Sequence, residues 1–391
     1  MNLAILQPEV QEWLREHQHD DPVKVSLGKS PFAGITAAEL ATQLDSRKRA
    51  EKKLPEWFST KDIYYPPKLA LEQCSSSLTA AYKQDLILGN SVADLTGGFG
   101  VDSYFFALKA STVTHVEQQA DLSDIASHNF SKLGITEIRC LNKDGLSSLA
   151  ESDAQFDTIY LDPSRRVKTQ KVFKLADCEP DVIRHLDLLK SRCKRLIIKT
   201  SPILDITQGL TELEIVDEIH ILSLKNEVKE VLWVINSQSS CTDPIIVAVA
   251  LDKPDSKVCF SRSEEFKSNS EFSFPQLYVY EPDAALLKAG AFKWIGAHYD
   301  VFKLHQHSHL YTSEDQKPFL GRTFKVQEIL AFKAFQQRKI ANQANVISRN
   351  FPLSADKLRK KFKIKDGSDR YLIFSTTGKN ELIVIDALRL F

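Results

Sequence analysis

The sequence predicts an α/β fold: an open, doubly wound sheet, mainly parallel with an antiparallel finish, preceded by an N-terminal helical region and followed by a small α+β domain. Three observations predict it. Between residues 91 and 199, apolar runs of four to six residues alternate with helical stretches, the spacing of βαβ units. A glycine turn, Thr96-Gly97-Gly98-Phe99-Gly100, directly follows the first of these runs. Finally, residues 318–391 hold 15 Lys and Arg against 6 Asp and Glu, a surplus of nine positive charges on a chain of zero net charge. A basic segment on an acidic body suits a polyanion-binding module joined to something else.

At 391 residues, 43% of them hydrophobic, the chain has material for two or three cored domains. No run of 18 apolar residues occurs, and the first residues lack a basic stretch followed by an apolar one. Neither a membrane span nor a signal peptide is expected, and a cytoplasmic location is. The six cysteines are dispersed with no CxxC pair, so no disulfide framework, zinc site or other metal is expected.

Residues 1 to about 64 read as helical, with capping-box spacing at Thr36-Ala37-Ala38-Glu39 and a stop at Pro55. Tyr64-Tyr65-Pro66-Pro67 must be extended, because a residue before proline is pushed out of the α region. The expected boundary lies there. Leu69 to Leu88 reads as one helix containing the polar cluster Gln73-Cys74-Ser75-Ser76, either a helix-start cap or, through Gln73 and Ser75, the lining of a ligand site.

Strands follow at 91–94, 112–117, 137–140, 158–162 and 196–199, with helices at 102–109, 122–133 and 181–189. Runs at 218–224, 230–235 and 245–251 leave no room for a helix between the last two, hence the antiparallel finish. Residues 253–275 read as an exposed connection, and 277–314 as strands with one helix at 282–290. Beyond lie a helix from Val326 to Gln336, the stretch Ser348-Arg349-Asn350-Phe351-Pro352, a basic helix from Ser354 to Phe362, and strands near 371–375 and 381–385. The expected divisions are 1–66, 67–255, 275–317 and 318–391.

The chemistry is read at the carboxyl ends of the strands, where ligands gather in such sheets. The glycine turn, with Asp94, Thr96, Gly97, Gly98 and Gly100, lets backbone approach a ligand and opens a helix whose free N–H groups favour an anion. It suits a dinucleotide or an adenosyl ligand. Two glycines at Gly98 and Gly100 followed by Ser103 leave the dinucleotide fingerprint incomplete. Glu117, 19 residues beyond Gly98 and beside Gln118, can accept both hydrogen bonds of a ribose diol. Asp144, followed by Gly145, can accept from an adenine amino group. Each carboxylate alone could equally be a strand-end turn residue. Asp162-Pro163-Ser164-Arg165-Arg166 closes the fourth strand: its carboxylate and a carbonyl freed by the proline turn can hold an amine in line with a sulfonium methyl, or Asp and Pro can simply make a turn.

With these four motifs in order, the chain resembles the class I S-adenosylmethionine-dependent methyltransferases and their Rossmann-like sheet. Glu72-Gln73-Cys74-Ser75-Ser76, Asp94 to Asp102 and Arg349-Asn350-Phe351-Pro352 resemble, more narrowly, the bacterial branch with a THUMP-like C-terminal domain preceded by a small ferredoxin-like element. The resemblance implies S-adenosylmethionine as cofactor and RNA as substrate. Catalytic candidates are Asp162, Pro163, Ser164 and Arg165. The Pro-aromatic pair usual in base-amine methyltransferases is replaced by Ser164 and Arg165, and an arginine plane can stack on a base in place of a ring. Arg166, Arg349, Lys357, Arg359, Lys360 and Lys361 are candidates to touch nucleic acid. The expected function is methylation of a base nitrogen in structured RNA, tRNA or rRNA. A protein or small-molecule methyltransferase, and a non-catalytic RNA-binding protein with a vestigial cofactor domain, are the alternatives. His305-x-His307-x-His309 reads as an exposed strand face, Cys178 and Cys193 as core, and Asn226 and Glu227 as a turn that could border the substrate.

Overall fold

The computed structural model describes residues 1–165, 174–253, 256–338, 343–367 and 369–390. They form two compact units, Met1–Val216 with Leu232–Ser240, and Asp217–Val231 with Cys241–Phe391. No helix among the described residues is long and apolar enough to cross a membrane.

In the first unit, helices α1 (Pro8–Glu16), α2 (Pro22–Leu27), α3 (Ala37–Lys53) and α4 (Pro55–Ser59) precede the sheet. The expected capping box forms: Thr36 Oγ1 accepts the Glu39 N–H at 3.2 Å, and the Glu39 carboxylate accepts the Thr36 N–H at 2.7 Å. Pro55 ends α3 and starts α4, since it lacks the N–H a helix interior needs. The Tyr64–Pro67 stretch is extended and buried as far as Pro66. Its backbone polar groups therefore need side-chain partners. Asn129 supplies both for Tyr64, at 2.9 Å each, and Gln43 does the same for Tyr65, at 2.9 and 2.8 Å. Around them Leu40, Leu44 and Trp57 pack into one core with Phe99, Val101, Phe105 and Ile125.

The helix expected over 69–88 is two, α5 (Lys68–Gln73) and α6 (Ser77–Leu86). Ser76 breaks it by accepting the Thr79 N–H at 3.2 Å as the cap of α6. The alternating elements then follow: β1 (Ser91–Asp94), α7 (Val101–Ala107), β2 (Thr112–Val116), α8 (Ala120–Lys132), β3 (Ile138–Leu141), α9 (Gly145–Ala150) and β4 (Phe156–Leu161). After a short antiparallel pair, β5 (Ser164–Arg165) with β6 (Cys178–Glu179), come α10 (Leu186–Ser191), β7 (Cys193–Thr200) and α11 (Ile206–Leu213). The helix expected from 181 begins only at Leu186, because Asp181 Oδ1 takes the Arg184 N–H at 3.1 Å and turns the chain first. The strand order is β3-β2-β1-β4-β7, all parallel. The chain runs outward from β1 to β3 and returns on the other side of β1 as β4. That reversal leaves the carboxyl ends of β1 and β4 side by side, with Asp94 opposite Tyr160.

The second unit begins with β8 (Glu218–Leu224), which Lys225 and Asn226, at φ 54° and 61°, join as a two-residue hairpin to β9 (Glu227–Asn236), a strand whose residues from Leu232 on belong to the first unit. β10 (Ile245–Ala250) does not extend the meander; it runs parallel to β8, and β11 (Lys257–Ser261) lies antiparallel on it. The mainly parallel sheet with antiparallel additions is thus as expected. β11 and α12 (Arg262–Lys267) occupy what reads in sequence as an exposed connection, because β10 offers an edge with which β11 pairs.

A second sheet holds β12 (Tyr278–Pro282), β13 (Phe302–Lys303), β14 (Tyr311–Ser313), β15 (Gly321–Ala331), β16 (Asn345–Ser348), β17 (Arg370–Thr376) and β18 (Leu382–Arg389), in the order β13-β14-β12-β15-β18-β17-β16. α13 (Ala284–Ala289) and α14 (Trp294–Tyr299) follow β12, where the sequence suggests one helix. α15 (Phe332–Gln336) and α16 (Ala355–Phe362) complete the unit. The helix expected from Val326 starts only at Phe332. Residues 326–331 belong to β15, paired with β18, and a bulge between Val326 and Glu328 breaks the two-residue alternation that would have revealed a strand. His305, His307 and His309 lie in the loop between β13 and β14, not on a strand.

Asn129→Ala leaves the Tyr64 N–H and C=O buried without partners, and should cost about 2 kcal/mol or more. The shift in urea midpoint at unchanged m-value measures it.

Candidate functional site

The turn after β1 is held from both sides. Asp94 is 1% exposed; its carboxylate accepts the Thr96 N–H at 3.1 Å and the Ser103 hydroxyl at 2.7 Å. Thr96 Oγ1 in turn accepts the Asp162 N–H at 2.7 Å, tying the end of β4 to the turn. Gly97 passes so close to His115 that a Cβ would lie 2.2 Å from the ring, and Gly100, at φ 87°, meets Phe130 in the same way at 2.4 Å. Gly98, at φ 56°, is different: a Cβ there would enter open space, its nearest neighbour Thr96 O at 3.8 Å. That open volume over the turn is where a ligand can approach the backbone.

Burial governs the charges here. It pushes the Asp94 carboxyl up to about 7, against the lowering by the Ser103 bond, while Asp102 and Asp162 nearby push the same way as burial. Burial also drives His115 down to about 4, leaving a neutral ring whose Nδ1 lies 2.9 Å from Ser103 Oγ. Because the Ser103 hydrogen goes to Asp94, Nδ1–H is the donor in that contact.

Glu117, 8% exposed, receives the Gly98 N–H on one oxygen at 2.9 Å and the Gln119 N–H on the other at 2.7 Å. Each oxygen retains a second lone pair, so the carboxylate can still accept from a vicinal diol. Gln118 is exposed, and its carbonyl, like that of Glu117, accepts from Asn142 Nδ2. Asp144 caps α9, accepting the Ser147 N–H at 2.8 Å, and Gly145 lies where a Cβ would meet Leu95 O at 2.2 Å. Gln73 ends α5 and is exposed.

Sequence reasoning missed a buried charge network behind this surface. Lys83, fully buried, lies 3.0 Å from Asp102 Oδ1 and donates to Ser75 Oγ at 2.8 Å. Ser75 and the Tyr160 hydroxyl donate to Asp102 Oδ2 at 2.8 and 2.9 Å. Burial alone would raise the Asp102 carboxyl, but the cations of Lys83 and Lys199 and these bonds hold it below its usual value. Lys199, at the carboxyl end of β7 and 8% exposed, lies 2.5 Å from Asp162 Oδ2. Asp162 itself is half-buried at the mouth. The rule applied to Asp94, Glu117 and Asp162, a charged residue ending an apolar strand, would have found Lys199 in Leu196-Ile197-Ile198-Lys199 as well.

Pro163 is buried and Ser164 exposed in β5; the Arg165 backbone pairs with Cys178, and Arg166 lies outside the described residues. In the second unit, Arg349 is engaged by buried Glu281 at 3.0 Å, beside Arg322 at 2.6 Å. Arg359 reaches Asp366 and Asp356, each at 2.7 Å, whereas Lys357, Lys360 and Lys361 are exposed. Asn226 caps α13, accepting the Ala284 N–H at 2.9 Å, and Glu227 pairs with Lys229 at 2.6 Å. Cys178 and Cys193 are buried, and burial pushes the Cys193 thiol up to about 12, away from nucleophilic thiolate. Among the described residues no group of three or more His, Cys, Asp and Glu is arranged to hold a metal.

A crystal structure of a protein designated a methyltransferase from Porphyromonas gingivalis W83 superposes with TM-score 0.88 and 33% identity, covering 98% of both chains. An uncharacterised S-adenosylmethionine-dependent methyltransferase of Mycobacterium tuberculosis H37Rv is 25% identical over 333 residues, 81% of this chain and 86% of the relative. The chain belongs to the S-adenosylmethionine-dependent methyltransferases. It is therefore an enzyme, with S-adenosylmethionine as its cofactor. Within this methyltransferase, residues 278–319 match a ferredoxin-like domain and residues 321–387 a THUMP domain-like family. Over 88 residues, 22% of this chain and 24% of the relative, it is 32% identical to an uncharacterised RNA methyltransferase of Mycoplasma mobile. The glycine turn, with its open volume above Gly98 and a Glu117 carboxylate that keeps lone pairs for further donors, is chemically compatible with the cofactor.

Folding raises the Asp94 carboxyl from 3.8 to about 7, so the folded state binds that proton more tightly. Wild-type stability relative to Asp94→Asn should therefore fall as pH rises from about 4 to about 7, by on the order of a few kcal/mol. Urea unfolding of both proteins across that range measures the difference; a pH-independent gap would contradict the assigned environment.

Proposed function

We propose that this methyltransferase acts on a base nitrogen in structured RNA, tRNA or rRNA. The observation that carries the reading is Asp162-Pro163 at the reversal of the sheet, with its main chain tied to the glycine turn through Thr96 and its carboxylate at the mouth. Similarity to an RNA methyltransferase, the THUMP-like match and the basic surplus of residues 318–391 support RNA as the substrate.

In this reading Asp94, Thr96 and Gly97 to Gly100 border the methionine end of the cofactor, Gln73 lines the same side with Ser75 buried behind it, Glu117 with Gln118 accepts the ribose hydroxyls, and Asp144 with Gly145 flanks the adenine. The cofactor supplies an electrophilic sulfonium methyl whose leaving group departs neutral. The protein's task is orientation rather than acid or base help. Asp162 accepts an N–H of the target nitrogen and aims its lone pair, and Pro163 fixes the main chain that follows. Ser164, Arg165 and Arg166 grip the nucleotide where related enzymes use an aromatic ring, and a base paired in a helix must be flipped to reach them.

Residues 318–391 supply affinity, with 275–317 as a ferredoxin-like element between them and the methyltransferase part at 67–255; residues 1–66 form the N-terminal helical region. Arg349 and Arg359 are already engaged by carboxylates, so phosphate contact falls chiefly to Lys357, Lys360 and Lys361.

Glu117→Ala should weaken S-adenosylmethionine binding about 10- to 100-fold by calorimetry, the loss expected for hydrogen bonds to a charged acceptor. Asp162→Ala should bind the cofactor normally and transfer labelled methyl to RNA from cells lacking the gene about 100-fold more slowly, a measurable residue left by cofactor and RNA binding alone; transfer at the wild-type rate would refute the role given to Asp162. Replacing Lys357, Lys360 and Lys361 by alanine should reduce the log–log salt dependence of RNA binding by about two, and an unchanged slope would place the phosphate contacts elsewhere.

A further inference from the structure

Asp162 stands on a loop mouth, where an unrestrained carboxylate would rotate among rotamers and present either oxygen. Its neighbour prevents this. Lys199 Nζ lies 2.5 Å from Oδ2, and the lysine stem, ending the buried run Leu196-Ile197-Ile198, is itself only 8% exposed. Lys199 also acts on Asp102, which is locked by Lys83, Ser75 and Tyr160. Charges thus alternate from the interior outward: Lys83, Asp102, Lys199, Asp162. Such a chain of opposite charges is stable only with each member in place, because a buried ion left alone is strongly disfavoured.

We infer that Lys199 is a positioning residue for methyl transfer: it occupies Asp162 Oδ2 and leaves Oδ1 as the acceptor presented at the mouth. The inference rests on the role proposed for Asp162, and it narrows the substrate. A fixed carboxylate oxygen beside the methyl favours a nitrogen that brings its own hydrogen, such as an exocyclic amino group. It disfavours a ring nitrogen with only a lone pair, which would face the carboxylate's own lone pairs. In the transfer, the nitrogen lone pair forms the new N–C bond, the C–S bond breaks with its electrons going to sulfur, and the displaced N–H proton leaves to solvent from the methylated nitrogen. Lys199 takes no part in these bond changes; it acts through Asp162.

The test uses the full chain, labelled S-adenosylmethionine and total RNA from cells lacking the gene. Lys199→Met should bind the cofactor within about twofold of wild type, lose tenfold or more in kcat with KM for the cofactor unchanged, and be largely rescued by Lys199→Arg. In an Asp162→Ala background, Lys199→Met should cost nothing further, because the group through which it acts is gone. The modified nucleoside should carry its methyl on an exocyclic nitrogen. Full activity of Lys199→Met, a matching loss of cofactor affinity, or an additive loss on top of Asp162→Ala would each overturn the inference. With an active wild type, those results leave the RNA reading standing; a wild type inactive on this RNA overturns the reading and the inference together.

Discussion

One threonine joins the two strand ends on which the site depends. Thr96 donates its N–H to Asp94 at the end of β1, and its hydroxyl oxygen accepts the N–H of Asp162 at the end of β4. A parallel sheet that reverses direction at β1 and β4 opens a crevice between those ends, and something must close the backbone across it. Thr96 does so with two hydrogen bonds. The glycines around it can then be small for different reasons: Gly97 and Gly100 because His115 and Phe130 fill the space, Gly98 because nothing does.

Desolvation and pairing divide the ionisable groups of this region into two kinds. Asp94 and His115 lack an opposite charge, so burial moves both towards neutrality, the acid up and the base down. Asp102 is equally buried but is engaged by Lys83 and Lys199, so it stays ionised. Replacing such a buried pair by apolar residues is often neutral for stability. The same network reaches the Asp162 carboxylate through Lys199.

The basic surplus of the C-terminal segment is less available than its count suggests. Arg322 and Arg349 converge on Glu281, Arg359 reaches Asp356 and Asp366, and Arg370 pairs with Asp386. Arg322 also lies over the Phe324 and Tyr371 rings, 5.9 Å from each centroid. The lysines of α16 remain exposed, with Lys361 also over the Phe332 and Phe362 rings.

The strands, the glycine turn, the capping box at Thr36 and the carboxylates at strand ends were legible in the sequence, because each is set by local spacing or by one residue's backbone preference. What was misread depended on partners distant in sequence. Residues 326–331 have helical spacing, yet β18 pairs with them and a bulge absorbs the mismatch. Residues 257–261 look like linker until β10 offers an edge. In the site, Asp162 could be named from its own motif, but Lys199, 37 residues on, could not be assigned to it, nor Lys83 to Asp102. Sequence alone determined the fold class, the family resemblance and the strand-end carboxylates. Tertiary structure alone decided that burial raises the Asp94 carboxyl and that Lys199 meets Asp162, because desolvation and ion pairing exist only once the strands lie side by side, β7 against β4 and β4 against β1.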